Sequence, residues 1–291
     1  MIKKYSFRKI AITTLLLFLS FILYNYPKEI NTNINDMNKK EINVIRDVNG
    51  YLSLIKIDYK KDNIDDRISL IIEDMKDNGL LTKETNINSF VLDNRLLKID
   101  FNKDFLNMKD EEKAIEALIY SLTDLKEINR IMIYIDGNRL SELPNSKRKL
   151  DLYLDRSYGI NKIYDIESIN DISMVMLYFY NKENNLVPIS YFYNDNNDKL
   201  SIIFKELKSN TFIANDLTSY LNNEVELMNY ELYEDRIVLE FSDKLLNMYI
   251  DGSLVEEVKY TIGYSICDTF NVNKVEFAIN TEKIDELILA N

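Results

Sequence analysis

The sequence predicts a mixed α/β (α+β) protein with two tandem small domains, each with two helices packed on a mixed β-sheet, behind an N-terminal transmembrane anchor. Three observations support this prediction. An internal repeat covers most of the chain, the apolar residues of each copy change from a helical to a strand period, and an apolar run lies near the N-terminus. With 291 residues and 46% apolar content, the chain is long enough for two domains with cores of their own.

The N-terminal segment indicates a signal anchor. Ile10–Tyr24 is predominantly apolar, and the basic residues before it favour a cytoplasmic N-terminus under the positive-inside rule. Because no small-residue cleavage site follows Tyr24, cleaved export ranks second, and a cytoplasmic protein ranks third. We therefore predict a cytoplasmic tail and anchor over residues 1–27 and an Asn- and charge-rich stalk over 28–50. The expected localisation is the cell membrane, single-pass, with the C-terminal body outside the cytoplasm.

The repeat consists of four pairs of segments that occur in the same order in both halves. The pairs are Ser53–Tyr59 with Met174–Tyr180, Arg67–Asn78 with Lys199–Asn210, Ile99–Met108 with Leu239–Met248, and Glu112–Asp136 with Glu256–Asn280. The last pair aligns without gaps. A duplication therefore divides the body into a first domain over 51–145, a connector over 146–171 and a second domain over 172–291.

Apolar periodicity assigns a structure to each repeated block. The helical faces are Ile68, Ile71, Ile72 and Met75, then Ala114, Leu118 and Leu122, and in the second copy Leu200, Ile203, Phe204 and Leu207, then Val258, Ile262 and Ile266. The period then changes to two, at Ile131, Ile133 and Ile135 and at Val275, Phe277 and Ile279, which predicts a half-buried strand in each copy. Asp136-Gly137 is a turn signal after the first of these strands. Leu186–Tyr193 predicts a further strand in copy two.

Composition excludes several classes of function. The net charge of −12 and the absence of a basic stripe argue against a nucleic-acid partner. The chain has no histidine, which removes Ser-His-Asp and Cys-His nucleophiles and imidazole-ligated metals. Cys267 is the single cysteine, so neither an intrachain disulfide nor a four-cysteine metal cluster can form. We predict no cofactor.

A repeated Tyr-Ser-x-x-Asp pattern is the most tempting candidate site. It comprises Tyr120, Ser121 and Asp124 in copy one and Tyr264, Ser265 and Asp268 in copy two. It can be interpreted as a binding or catalytic patch, but residues shared by a duplication usually share a packing role. We therefore expect the tyrosine to pack, the serine to allow close approach of the sheet, and the aspartate to be solvated or to bond the backbone of the turn.

The remaining acidic and thiol candidates have structural interpretations. Asp62–Asp66 and Asn194–Asp198 resemble calcium loops but precede helices, where Asp and Asn cap free N–H groups. Adjacent carboxylates at Asp110–Glu111 and Glu256–Glu257 point in different directions on a helix and complement its dipole. Cys267 replaces Thr123 of copy one, so we interpret it as a small filler. We assign no catalytic, cofactor-binding, metal or other binding residues.

The repeated pattern resembles the GerMN domain of the GerM family of sporulation and spore-germination proteins. The resemblance rests on the motifs Leu118–Gly137 and Tyr260–Asn280, Ile99–Phe101 and Leu239–Phe241, and Leu186–Ile189, and it covers about Tyr51–Leu287. It implies a non-enzymatic envelope protein of spore-forming bacteria that helps to assemble a trans-envelope complex and associates with peptidoglycan. Family members are often lipoproteins, and this chain departs from them because no cysteine follows its apolar segment.

Three classes of function therefore compete. The first is a membrane-anchored assembly or scaffold module whose partners are envelope or sporulation-complex proteins. The second is an envelope protein that binds peptidoglycan or another glycan, which an excess of exposed tyrosine on one strand face would favour. The third is a carboxylate-dependent wall hydrolase, against which the lack of a convergent acidic constellation argues.

Overall fold

A five-stranded sheet at the centre of the molecule is built from both repeats. The computed structural model describes residues 40–194, 198–209, 212 and 216–289. Its first hairpin is β1 (Lys40–Val48) and β2 (Tyr51–Tyr59), and its second is β8 (Ile172–Tyr180) and β9 (Leu186–Asn194). The hairpins meet where β2 pairs antiparallel with β9 at Leu54 and Leu186, and β7 (Ile163–Asp165) runs parallel to the other end of β9. Strands β1, β7 and β8 each pair with a single neighbour and are the outer strands of this sheet.

Each repeat also contains a four-stranded mixed sheet. The first has the order β3 (Ile87–Asp93), β4 (Leu96–Phe101), β5 (Arg130–Ile135) and β6 (Asn138–Arg139), and the second has the order β10 (Leu227–Leu232), β11 (Arg236–Phe241), β14 (Lys274–Ile279) and β15 (Glu282–Ile288). The two short strands β12 (Tyr249–Ile250) and β13 (Ser253–Leu254) pair with each other. β4 is parallel to β5 and β11 to β14, while the other pairs are antiparallel, which confirms the predicted mixed sheets.

Within the described ranges, two α-helices of each repeat lie where they are predicted. They are α1 (Ile64–Asp77) and α2 (Glu111–Leu122) in the first copy, and α3 (Lys199–Leu207) and α4 (Glu256–Phe270) in the second. The residues predicted to form their apolar faces are all buried. Short 3-10 turns lie at Lys103–Asn107, Arg156–Tyr158 and Asp243–Met248. Asp136 and Gly137 both have positive φ, as the turn after β5 requires.

Strand β8 contributes side chains to two hydrophobic cores. Its even-numbered residues Met176, Tyr178 and Tyr180 pack with the first repeat, and its odd-numbered residues Val175, Leu177 and Phe179 pack with the second. Alternate side chains of a strand point to opposite faces, so one strand closes two cores. The five-stranded sheet therefore packs against both repeats and belongs to neither repeat alone.

Two predictions about the first repeat are wrong. Residues 40–48 of the predicted stalk form β1, where Val44 and Ile45 are buried, so the first repeat begins before residue 51. Ser53–Tyr59 lies in β2, the second strand of its hairpin, and its counterpart in the order of elements is β9 rather than Met174–Tyr180. The two strands of a hairpin have similar apolar alternation, so the sequence alone allowed this shift.

The predicted anchor over residues 1–27 lies outside the described residues. Within the part of the chain that the structure describes, no helix has both the length and the apolar character needed to cross a membrane.

Candidate functional site

The repeated serines bind the outer strands of the central sheet. Ser121 of α2 accepts a hydrogen bond from the backbone N–H of Ile45 in β1, at 2.9 Å. Ser265 of α4 accepts the equivalent bond from the N–H of Tyr178 in β8, also at 2.9 Å. An outer strand presents unpaired backbone groups, and these hydroxyls satisfy one buried group on each side. The predicted role of the serines in close approach of the sheet is confirmed.

The two repeated aspartates meet at one arginine that the sequence analysis did not single out. Arg156 begins the 3-10 turn of the connector, and its guanidinium lies 2.7 Å from Oδ2 of Asp268 and 3.3 Å from Oδ1 of Asp124. The Tyr178 hydroxyl donates to the same Asp268 oxygen at 2.5 Å, and the Tyr120 hydroxyl donates to the backbone carbonyl of Arg156 at 2.9 Å. We call these five residues the junction cluster, since they join both repeats and the connector.

The junction cluster is a partly buried electrostatic unit. The Arg156, Asp124 and Asp268 side chains are 29%, 25% and 14% exposed. Burial alone would lower the pKa of Arg156, but the Asp268 carboxylate, Tyr178 and Asp124 raise it above its ordinary value. Burial raises the pKa of Asp124 although Arg156 opposes this effect. The charges of Arg156 and its two partners are therefore interdependent.

The aspartates are therefore neither solvated nor bonded to the backbone of the turn, and that part of the prediction is wrong. The tyrosines do pack: Tyr120 is buried, and the Tyr264 ring lies 5.2 Å from the Tyr178 ring. The sequence carried one signal for this cluster. The connector is long for a loop within a compact body and is rich in aromatic and charged residues, which is typical of a segment with defined contacts.

The same connector lines a shallow groove of about 200 Å³. Four aromatic side chains line it, namely Tyr153, Tyr158, Tyr164 and Phe192, together with Arg148, Asp151, Leu154, Asp155 and Ser157. We call this surface the aromatic groove. Tyr164 of β7 and Phe192 of β9 are partners in the parallel register, and their rings stack at 4.9 Å with an angle of 15°. Tyr164 remains 58% exposed, so this stack faces the solvent.

Cations and a partly buried carboxylate hold the Tyr158 side chain at the inner side of the groove. The Tyr158 ring lies 4.4 Å from the Arg148 guanidinium and 4.0 Å from the Lys162 ammonium. The Tyr158 hydroxyl and Arg148 both donate to Oε2 of Glu112, each at 2.8 Å. Although burial opposes it, these hydrogen bonds hold the pKa of Glu112 below its ordinary value. The Tyr158 side chain at the inner side of the groove is therefore held in position by Arg148, Lys162 and Glu112.

Glu112 and Glu116 form the pair of carboxylates that most resembles an acid and base. Both contact the Lys162 ammonium, at 3.5 and 2.9 Å. The pKa of Glu116 is raised by burial, whereas that of Glu112 is lowered, and such a divergence is a feature of some hydrolases. However, neither residue lines the aromatic groove. Glu116 instead accepts the backbone N–H of Asn161 and thus anchors the connector.

The structure confirms the predicted helix capping at some of the acidic stretches and not at others. Asn63 caps α1 by accepting the N–H of Asp66, as predicted. Asp110 caps α2 by accepting the N–H of Lys113, a contact that goes beyond the predicted complement to the helix dipole. Asp198, however, makes no side-chain bond to the N-terminus of α3, and residues 195–197 lie outside the described residues. Asn194 instead accepts the N–H groups of Glu167 and Ser168 in the connector. Capping is therefore confirmed at the first stretch, and Asn194 has a different role.

Cys267 provides a probe of folding. Its side chain is 2% exposed, and burial, with the Asp268 charge, raises the pKa of the thiol to about 12. Because the reactive form is the thiolate, the folded chain should react with a maleimide or Ellman's reagent at pH 8 only when it opens. We expect labelling of the native chain at least about 100-fold slower than of the chain in denaturant. Labelling of the native chain at the denatured rate would contradict the buried position.

Comparisons with known proteins agree with this architecture. The family model Germane, described as sporulation and spore germination, matches residues 40–141, a range that begins at β1. The spore germination protein GerM of Bacillus subtilis (strain 168) is 25% identical over 191 residues, which cover 62% of this chain and 50% of GerM. The chain thus spans about half the length of this curated relative.

A solved structure has the same fold. The tandem GerMN domains of the sporulation protein GerM from Bacillus subtilis superpose with a TM-score of 0.73 at 18% sequence identity. The match covers 87% of this chain and 98% of that one. The described body therefore has the fold of two GerMN domains in tandem.

Proposed function

We propose that this chain, which is similar to the spore germination protein GerM and has the fold of tandem GerMN domains, is a non-enzymatic, membrane-anchored protein of the cell envelope that acts in sporulation or spore germination. Its role is that of an assembly or scaffold module. Its partners are envelope or sporulation-complex proteins, and the cytoplasmic membrane holds it through residues 1–27. The sporulation-related part of this proposal is supported by the Germane match and by the similarity to GerM.

The observation that carries the scaffold role is the joining of the two repeats. β8 contributes to both cores, and Arg156 pairs with an aspartate from each repeat. A body joined in this way presents its surfaces at a fixed distance and angle, which lowers the entropic cost of assembling with partners.

Deletion of the coding sequence in the native host tests the sporulation role. We expect fewer spores or slower germination, and restoration of both by the full chain. Fractionation tests the anchor: the full chain should stay in the membrane after a carbonate wash, whereas a chain starting at residue 28 should not. A chain that lacks residues 282–289, which form the whole of β15 and the residue after it, keeps the N-terminal segment and controls for general misfolding. Normal sporulation and germination of the deletion strain would overturn the proposal.

Release of wall fragments from purified peptidoglycan would overturn the non-enzymatic part separately. This assay uses the full chain, with Glu112→Gln and Glu116→Gln as the variants that identify the responsible carboxylates. We expect no release above the buffer control.

A further inference from the structure

We propose that the aromatic groove binds a neutral sugar unit of a polysaccharide. The inference extends the proposed function, because such binding would add a contact between an envelope protein and the saccharide around it. It starts from the stacked pair of Tyr164 and Phe192, whose rings lie in the groove with Tyr164 more than half exposed. An exposed, rigid aromatic face is suited to the flat C–H face of a pyranose ring.

The polar groups of the groove match a ligand with many hydroxyls. Within the described ranges, no hydrogen bond or ion pair occupies the Asp151 carboxylate or the hydroxyls of Tyr153 and Tyr164. Asp155 uses Oδ1 for the backbone and side chain of Ser157, which leaves Oδ2 available. A carboxylate accepts hydrogen bonds and a tyrosine hydroxyl both donates and accepts, so together they can satisfy sugar hydroxyls of either orientation.

Two rings of the groove already have cations stacked on them, which disfavours a basic side chain at those faces although the lining also holds two carboxylates. Arg148 lies among the acidic residues Asp151 and Asp155, and the Arg130 guanidinium stacks 5.0 Å from the Tyr153 ring. A basic side chain would therefore meet like charge beside the faces of Tyr153 and Tyr158, which are already engaged by cations. A neutral polyol meets no such repulsion.

The dimensions limit the ligand to one ring at a time. A volume of about 200 Å³ is smaller than the roughly 300–1,000 Å³ of pockets for drug-sized molecules. We therefore expect a Kd on the order of 1 mM for a soluble oligosaccharide, and stronger retention on an insoluble polymer that offers many units.

The test is a titration followed by protein NMR. The protein is a fragment of residues 28–291, which contains the whole compact unit from Glu41 onward. The probes are a β-1,4-linked N-acetylglucosamine tetramer, cellotetraose and tetralysine. We expect saturable shifts with at least one saccharide and none with tetralysine. We expect a 5- to 10-fold weaker affinity in Tyr164→Ala and a smaller loss in Tyr164→Phe, which keeps the ring and loses the hydroxyl.

Two further variants make the test independent of folding effects. Tyr233→Ala is a matched control, because Tyr233 is 41% exposed and has the Arg236 guanidinium 4.2 Å from its ring but does not line the groove. It should bind saccharide normally. Asp151→Ala removes an exposed carboxylate without a described partner and should weaken binding even if Tyr164→Ala misfolds.

Three outcomes would overturn the inference: no shift with either saccharide at 10-fold above the expected Kd, binding that is unaffected by both groove variants, or binding of tetralysine instead. None of these outcomes would contradict the sporulation role, which the deletion strain tests. Conversely, a deletion strain that sporulates normally would leave saccharide binding by the fragment intact.

Discussion

The Arg156→Met variant is expected to lose about 2–4 kcal/mol of folding free energy. Removing one partner of a buried ion pair typically costs about 3–5 kcal/mol, and the partial exposure of this cluster reduces that figure. The cause is the pair of carboxylates that remains. Without the guanidinium, Asp124 and Asp268 repel each other in a poorly solvated position, and the Tyr178 hydroxyl alone remains to stabilise Asp268.

Urea unfolding followed by circular dichroism measures this effect. Adding Asp124→Asn and Asp268→Asn to Arg156→Met should restore about half of the loss or more, because no unpaired charge then remains. Lys149→Met is the control: its ion pair with Glu142 is largely exposed, and we expect a change below about 0.5 kcal/mol. An Arg156→Met variant within 0.5 kcal/mol of the wild type would show that the cluster contributes little.

The second large effect is expected at the repeated serines. Ser265→Val removes the acceptor for the N–H of Tyr178 at a fully buried site, and leaving a buried donor unpaired costs about 1–3 kcal/mol. Ser121→Val does the same to the N–H of Ile45. The two effects should be similar in size, since the two bonds have the same length and the same place in the repeat.

Hydrogen exchange separates this mechanism from a general packing defect. The Tyr178 amide should exchange faster in Ser265→Val, and the Ile45 amide faster in Ser121→Val, each beyond the global change in stability. Ser89→Val serves as the control, because Ser89 is exposed on β3 and valine suits a strand. If the two amides exchange equally fast in the wild type and in the variants, the serine hydroxyls do not protect the outer strands.

The local elements of the fold were predictable from the sequence. The apolar faces of the four helices, the strands β5 and β14, and the turn at Asp136-Gly137 were all assigned from periodicity and turn chemistry, and the structure confirms them. The repeat itself strengthened each assignment, because a period that is kept in two copies is less open to coincidence. The mixed sheets and tandem arrangement followed from the same patterns.

The contacts between the repeats were not predictable in the same way. Arg156 pairs with Asp124 and Asp268, which lie 32 and 112 positions away along the chain, and no local pattern encodes such a meeting. The aromatic groove combines residues of the connector with Phe192 of β9 for the same reason. Comparison of the duplicated segments predicted the packing within each copy correctly. The contacts between the copies depend on the connector, which occurs once in the chain and has no second copy to compare with.

Strand β8 has a consequence for how this protein can be dissected. The duplication suggests a cut between residues 145 and 172, but a fragment ending there would lack Met176, Tyr178 and Tyr180 and leave apolar side chains of the first repeat facing water. A fragment starting there would lose the β1–β2 hairpin beside β9. We therefore expect the chain to be stable as one body and neither half to be stable when produced alone.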